Sequence, residues 1–262
     1  MPRFGRRSVV IFLLALLPLE GAEAGGFPWK TSLRRDLPVA TATVGLAAAG
    51  HLLAEQIPPV QHTLSSRTGI FPLDRSVILP YSEGWGHLSD AGLVVSALLP
   101  FAGYLSAAGS DQEDVFPRLG VLELETLSLV TGLTYLTKVA TQRPRPYAYR
   151  KDTPTSLLRS PDSRASFFSG HAAIAFASAE LGRQFVEAAN GPVWLAWGGY
   201  GVAAVTAAGR VLAGVHFPTD VVVGAAVGVV CAKAVLALHR QDESDRVETV
   251  FAPGVLSFRV SF

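Results

Sequence analysis

The chain reads as long apolar blocks separated by polar, proline-bearing connections, and none of the blocks alternates with the two-residue period of a half-buried strand. Six blocks predict helices: residues 37–56, 88–108, 119–141, 169–189, 191–209 and 218–238. The last would extend roughly 31 Å, enough to cross a hydrocarbon layer. Within it Gly224 and Gly228 stand four apart, a spacing that lets another helix approach closely. Trp194 and Trp197, near the start of the fifth block, suit an aromatic belt at a membrane surface and core packing equally well.

Two connections are long. Residues 57–87 contain Pro58, Pro59, Pro72 and Pro80 with several glycines and predict an irregular loop. Residues 142–166 form the other. Near the C terminus Leu256, Phe258, Val260 and Phe262 fall on one face of a short predicted strand, to which no function is assigned. The expected fold is therefore all-α, a six-helix bundle embedded in a membrane, with long irregular loops and a C-terminal tail over residues 247–262.

Composition supports a membrane. Hydrophobic residues make up 49% of the 262 positions and charged ones 16%, with mean hydropathy +0.34, more apolar than an ordinary soluble enzyme. At the N terminus Arg3, Arg6 and Arg7 precede an apolar stretch from Ser8 to Leu19 and then Ala22-Glu23-Ala24. That is the layout of a secretory signal peptide covering residues 1–24, which leaves one domain over 25–246 in a bacterial cell envelope, at the inner membrane or in the periplasm. The single cysteine, Cys231, lies in an apolar run, so neither an intrachain disulfide nor a thiolate metal site is available.

Charge is unevenly spread. The loop 142–166 holds Arg143, Arg145, Arg150, Lys151, Arg159 and Arg164 against Asp152 and Asp162, a net +4 in a chain of net +1. Such a concentration attracts multiply charged anions. Other charges sit at helix ends. Lys138 closes the third block, and Arg145 stands between Pro144 and Pro146, which stop the helix and stiffen its exit. Ser169 is placed as an N-cap, Gly170 lets a ligand approach the backbone, and His171 falls in the first turn of a helix whose free N–H groups favour phosphate. Arg210 ends the fifth block. His216 precedes Pro218, the first position of the sixth, and Asp220 lies in its first turn, within reach of one imidazole nitrogen.

Lys138 followed by six residues and Arg145-Pro146, then Ser169-Gly170-His171, then Arg210, five residues, His216, three residues and Asp220, make a three-part signature. It resembles that of the type 2 phosphatidic acid phosphatase superfamily, which includes bacterial acid phosphatases and vanadium haloperoxidases. The signature covers about residues 119–238, and the family's six-helix core would extend it to about 37. Two positions depart from the usual pattern: Phe168 stands where Pro is common, and Gly209 where Ser is common.

The resemblance implies a metal-independent phosphatase that hydrolyses a phosphate monoester or diphosphate, on a lipid given the apolar helices. His216 would form a phosphohistidine, Asp220 orient it, and His171 protonate the leaving oxygen. Lys138, Arg145 and Arg210, with the backbone at Ser169 and Gly170, would hold the phosphate oxygens. The family favours a site on the periplasmic side. No cofactor, resident metal or nucleic-acid partner is implied, and no carboxylate cluster for a metal is evident from the sequence. The alternatives are a vanadate-dependent haloperoxidase and a phospholipid-binding or transport protein with a degenerate site.

Overall fold

The computed structural model describes residues 27–108, 115–240, 247–252 and 255–260. The signal-peptide segment lies outside these residues. Helices α1 (Leu33–Ala54), α3 (Glu83–Ala108), α4 (Phe116–Thr141), α6 (Gly170–Ala188), α7 (Val193–Leu212) and α8 (Pro218–His239) correspond to the six expected blocks. Two helices of a single turn bring the count among the described residues to eight: α2 (Pro72–Arg75) and α5 (Thr155–Leu158), both inside the long connections. The C-terminal residues form a β-hairpin, β1 (Val247–Ala252) paired antiparallel with β2 (Val255–Val260), so the expected strand has a partner immediately upstream.

Local chemistry sets the helix ends. Ser169 Oγ accepts the backbone N–H of Ala172 at 3.4 Å and caps α6. Pro218 opens α8 at a position whose N–H would be unpaired in any case. At the end of α4, Gln142 turns left-handed (φ 44°) and its N–H returns to the Lys138 carbonyl, after which Pro144 forbids continuation.

Helix α6 is central, packing on α3, α4, α7 and α8, while α1 lies against α4. Leu119, Leu122, Val130, Leu181, Phe185 and Leu236 are among the buried side chains that join α4, α6 and α8. The closest crossing is that of α8 on α6. A Cβ added at Gly228 would lie 2.0 Å from the Ala173 carbonyl oxygen, and one at Gly224 would lie 2.5 Å from that of Ser169. The four-residue glycine spacing therefore serves a real backbone contact, one that holds the start of α8 beside the start of α6.

Four segments are long and apolar enough to cross a membrane: Leu33–Ala54, Glu83–Ala108, Phe116–Tyr149 and Pro218–His239. Large apolar side chains stand exposed on their outer faces, among them Leu52, Val94, Leu98, Val222 and Val230. Trp194 and Trp197 are also exposed, at 74% and 53%, which removes core packing as their explanation.

Candidate active site

The α8–α6 crossing brings four helix ends together: the start of α8, the start of α6, and the C-terminal turns of α4 and α7. The backbone N–H of Ser169 donates to the Asp220 carbonyl at 3.0 Å, joining the two starts directly. Asp220 is fully buried, and three groups satisfy its carboxylate. Oδ2 accepts Ser166 Oγ–H at 2.5 Å and the Phe217 N–H at 2.9 Å, while Oδ1 pairs with Arg143 Nη1. Arg143 also pairs with buried Asp74 of α2 at 2.7 Å and lies over the Phe217 ring, 4.5 Å from its centroid. Asp74 in turn accepts the Thr219 backbone N–H at 3.1 Å and its hydroxyl at 2.6 Å. The 57–87 loop is thus tied to the N-terminus of α8, where carboxylates suit the helix dipole.

His216 is 2% exposed beside this anchor. Its Nε2 faces Nη1 of Arg145 at 3.2 Å. A guanidinium nitrogen only donates, so Nε2 must carry the lone pair and the ring proton must sit on Nδ1. Nδ1 lies 3.6 Å from Asp220 Oδ2 and has no hydrogen-bond partner among the described residues. The expected carboxylate–imidazole pair is therefore adjacent but longer than a hydrogen bond, because Ser166, Phe217 and Arg143 already occupy the carboxylate. Burial first, then the charges of Arg145, Arg210 and Lys138, hold the His216 imidazole well below the usual histidine range. It is a neutral base with its lone pair directed at cations.

Arg145 is as fixed as the flanking prolines imply. Its Nε and Nη2 donate to the carbonyl and carboxylate of Asp162, each at 2.7 Å, and Nη1 also donates to the Val215 carbonyl at 2.8 Å. Much of the positive charge of the 142–166 loop is spent in this way: Arg143, Arg145 and Arg150 all form ion pairs within the chain. The surplus expected from the sequence is smaller at the site itself.

The second imidazole has different company. His171, in the first turn of α6, places Nε2 2.8 Å from Asp90 Oδ1, and the same oxygen accepts from Arg210 Nη1 at 3.2 Å. Asp90 belongs to the first turns of α3 and is more than half exposed. Burial pushes the His171 pKa down to about 4, with Arg210 and Lys138 adding to the effect and Asp90 opposing it. Lys138, in the last turn of α4, thus acts electrostatically on both imidazoles.

Both departures from the family pattern are occupied by packing. Phe168 is buried in the core. A Cβ at Gly209 would lie 3.0 Å from Ser89 Cβ, so α3 stands where a serine side chain would project. Gly170 abuts Thr134 of α4, whose Cγ2 would be 3.1 Å from an added Cβ. Close helix packing therefore accounts for that glycine alongside any approach of a ligand.

All eight residues singled out from the sequence lie on these four helix ends or the turns beside them. Asp90, Asp74 and Ser166 were missed. They stand in ordinary polar contexts, and only the folded chain brings them within reach of a histidine, an arginine or the Asp220 carboxylate.

Residues 121–243 match a family model described as the PAP2 superfamily. No curated protein matches the chain. Among solved structures, the crystal structure of Aquifex aeolicus LpxE aligns at 23% sequence identity and a TM-score of 0.36, covering 65% of this chain and 98% of that one.

Proposed function

Residues 121–243 belong to the PAP2 superfamily, and from that premise we propose that the chain is a phosphatase acting on a lipid phosphate or diphosphate through a phosphohistidine. The observation that carries the reading is the His216 lone pair, fixed on Nε2 by Arg145 and surrounded by Arg145, Arg210 and Lys138. A phosphate inserted there takes over the donors that Nε2 and Asp90 now occupy.

In the first step Nε2 forms a bond to phosphorus and the bond to the lipid oxygen breaks. The leaving oxygen takes a proton from the imidazolium of His171, which the bound phosphate has drawn to its protonated form and which becomes neutral in this step. Positive charge that develops on His216 draws its Nδ1–H toward Asp220, 3.6 Å away, which stabilises the transition state more than the ground state. Once Asp90 and Nε2 have given up their donors, the three cationic side chains and the N-terminus of α6 are available for charge on the equatorial oxygens. In the second step water attacks the phosphohistidine, His171 accepts its proton, and orthophosphate is released. Each step uses only side chains of this chain.

The lipid part rests on the four apolar segments that rise to the site and on their exposed outer faces. His216 and His171 lie at the end of the bundle opposite Lys30 and Arg35, which bond to the carbonyls of His239 and Leu238 at the far end of α8. Under the positive-inside rule those residues belong on the cytoplasmic side, which directs the site outward and requires that residues 1–24 are retained instead of removed as a signal peptide.

The test is phosphate release from lipid monophosphates and diphosphates beside a soluble ester, with rapid quenching of a phosphorus-labelled substrate. The proposal expects preference for lipids and acid-labile label on the protein that disappears in His216→Ala. Hydrolysis confined to the soluble ester would overturn the lipid assignment. Turnover without protein-bound label would overturn the covalent route.

A further inference from the structure

At the opposite end of α8 the last residue, His239, is fully buried between two carboxylates from other helices: Asp36 in the first turn of α1 and Glu125 in α4. It stands nineteen positions after Asp220, so roughly 28 Å of helix lies between this cluster and the His216 site. His239 Nδ1 lies 2.8 Å from the Val235 carbonyl, which can only accept, so Nδ1 carries a proton. Nε2 then faces Asp36 Oδ1 at 3.3 Å and Glu125 Oε2 at 3.2 Å.

Both are ion-pair distances, and neither has the geometry of a directed hydrogen bond. Nε2 and both carboxylate oxygens of Glu125 are enclosed with no hydrogen-bond partner among the described residues. A carboxylate removed from water without any donor is strongly unfavourable, and an imidazole nitrogen facing two acceptor oxygens needs a positive charge, a proton or a metal ion, between them. A cation between the three groups resolves both problems.

We infer that Asp36, Glu125 and His239 form a site for a divalent transition-metal ion of the zinc class, joining α1, α4 and α8 at the end remote from the phosphate pocket. One imidazole and two carboxylates form a borderline nitrogen–oxygen donor set. Metal bonds of about 2.0–2.1 Å at tetrahedral angles place neighbouring ligand atoms about 3.3–3.4 Å apart, close to the 3.2 and 3.3 Å separations here. The available ligand atoms of the three residues all lie within 4.8 Å of one another.

The surrounding contacts are those that hold metal ligands in place. The Val235 carbonyl fixes the ring of His239. Asp36 Oδ1 accepts Arg35 Nε–H at 2.9 Å, and Oδ2 accepts the Ser32 N–H at 2.6 Å, orienting the carboxylate without filling its coordination. Three ligands from three distant segments make the ion a crosslink between helices, and one enclosed water molecule would complete four-coordination.

Tag-free full-length chain in detergent, stripped with a chelator, is titrated with zinc in a competition assay and separately with cobalt. The expected result is about one zinc per chain, a raised melting temperature, and the visible d–d bands of four-coordinate cobalt. His239→Ala and the milder Glu125→Gln are each expected to weaken zinc binding at least roughly tenfold and to abolish the cobalt spectrum. Helical circular dichroism identifies any variant that has failed to fold, and Asp36→Asn then serves as the replacement. Zinc binding of equal strength in folded variants would overturn the site, and so would no zinc uptake and no thermal shift in the stripped wild type. The latter result would leave a proton shared among the three residues.

Discussion

The two ends of α8 each bury a histidine, and the charges around them are opposite. At the N-terminal end Arg145, Arg210 and Lys138 press on His216 and leave it a neutral ring with its lone pair toward Arg145. At the C-terminal end Asp36 and Glu125 face His239, and Arg35, the cation of this cluster, is paired with Asp36. The side chain is the same in both places. Surrounded by cations, the imidazole is suited to attack an electron-poor phosphorus; surrounded by anions, it is suited to share a cation. Role follows the sign of the neighbours, and one rigid helix carries both settings.

The largest expected effect falls at the first end. His216→Ala should lower kcat/KM toward lipid phosphate by roughly 10⁴-fold or more while leaving helical content intact, since a nucleophile that acts with its partners costs most of the rate when removed. Residual turnover within a few-fold of wild type would assign the attack to another group. Arg210→Ala should cost about 10²–10³-fold in kcat/KM, the range for removing one donor aimed at developing charge. If the loss appears only in KM, Arg210 binds the ground state and the transition state alike.

Gly228→Val tests the link between the ends. Its added carbon meets the Ala173 carbonyl, which is backbone and has little room to move. Overpacking should lower stability by about 1–3 kcal/mol, read in denaturant melts, and should reduce phosphatase activity as α8 is pushed from α6. A variant of unchanged stability would mean that the crossing is looser than described.

The smallest effects concern the mouth of the pocket. Asp90→Asn should tighten inhibition by sulfate about two- to fivefold, the scale of a partly exposed charge pair, and weaker inhibition would show that Asp90 instead organises the anion site. Sulfate keeps its charge across mildly acidic pH, so it also reports on His171. Because the His171 pKa lies near 4 in the free protein, a bound anion that favours the imidazolium must draw in a proton. Sulfate binding should therefore strengthen as pH falls from about 6.5 toward 4, by up to about one log unit per pH unit. The folded chain alone shows the opposite trend: it binds fewer protons at His171 than the unfolded chain does, so this residue's stabilising contribution is lost progressively as pH falls over the same interval. Sulfate affinity independent of pH would remove His171 from the anion site.

Much of this was legible in the sequence for definite reasons. Six apolar blocks became six long helices because no two-residue alternation competes with the helical period, and the prolines inside α1 and α3, Pro38 and Pro100, are accommodated without ending either helix. The boundaries erred at the starts of α1 and α3, which begin at Leu33 and Glu83 instead of 37 and 88. Arg34, Arg35 and Asp36 in one, and the glycines around Trp85 in the other, make a polar or flexible first turn that reads as loop. The charged residues at helix ends were visible because caps and prolines mark those ends locally. Asp90, Asp74 and the Asp36–Glu125–His239 cluster were not visible, since each is defined by partners from segments far apart in the chain. The four-residue glycine spacing stood between these cases: the pattern was readable, but its partner, the Ser169–Ala173 turn, was not.

Asp90 has one more consequence. Its carboxylate already sits on His171 and Arg210, so every incoming anion must compete with a tethered rival that is never diluted away. A substrate held by a long apolar tail brings additional binding free energy to that contest, whereas free orthophosphate brings only its charge. Under the proposed reaction the site is thereby biased to release orthophosphate.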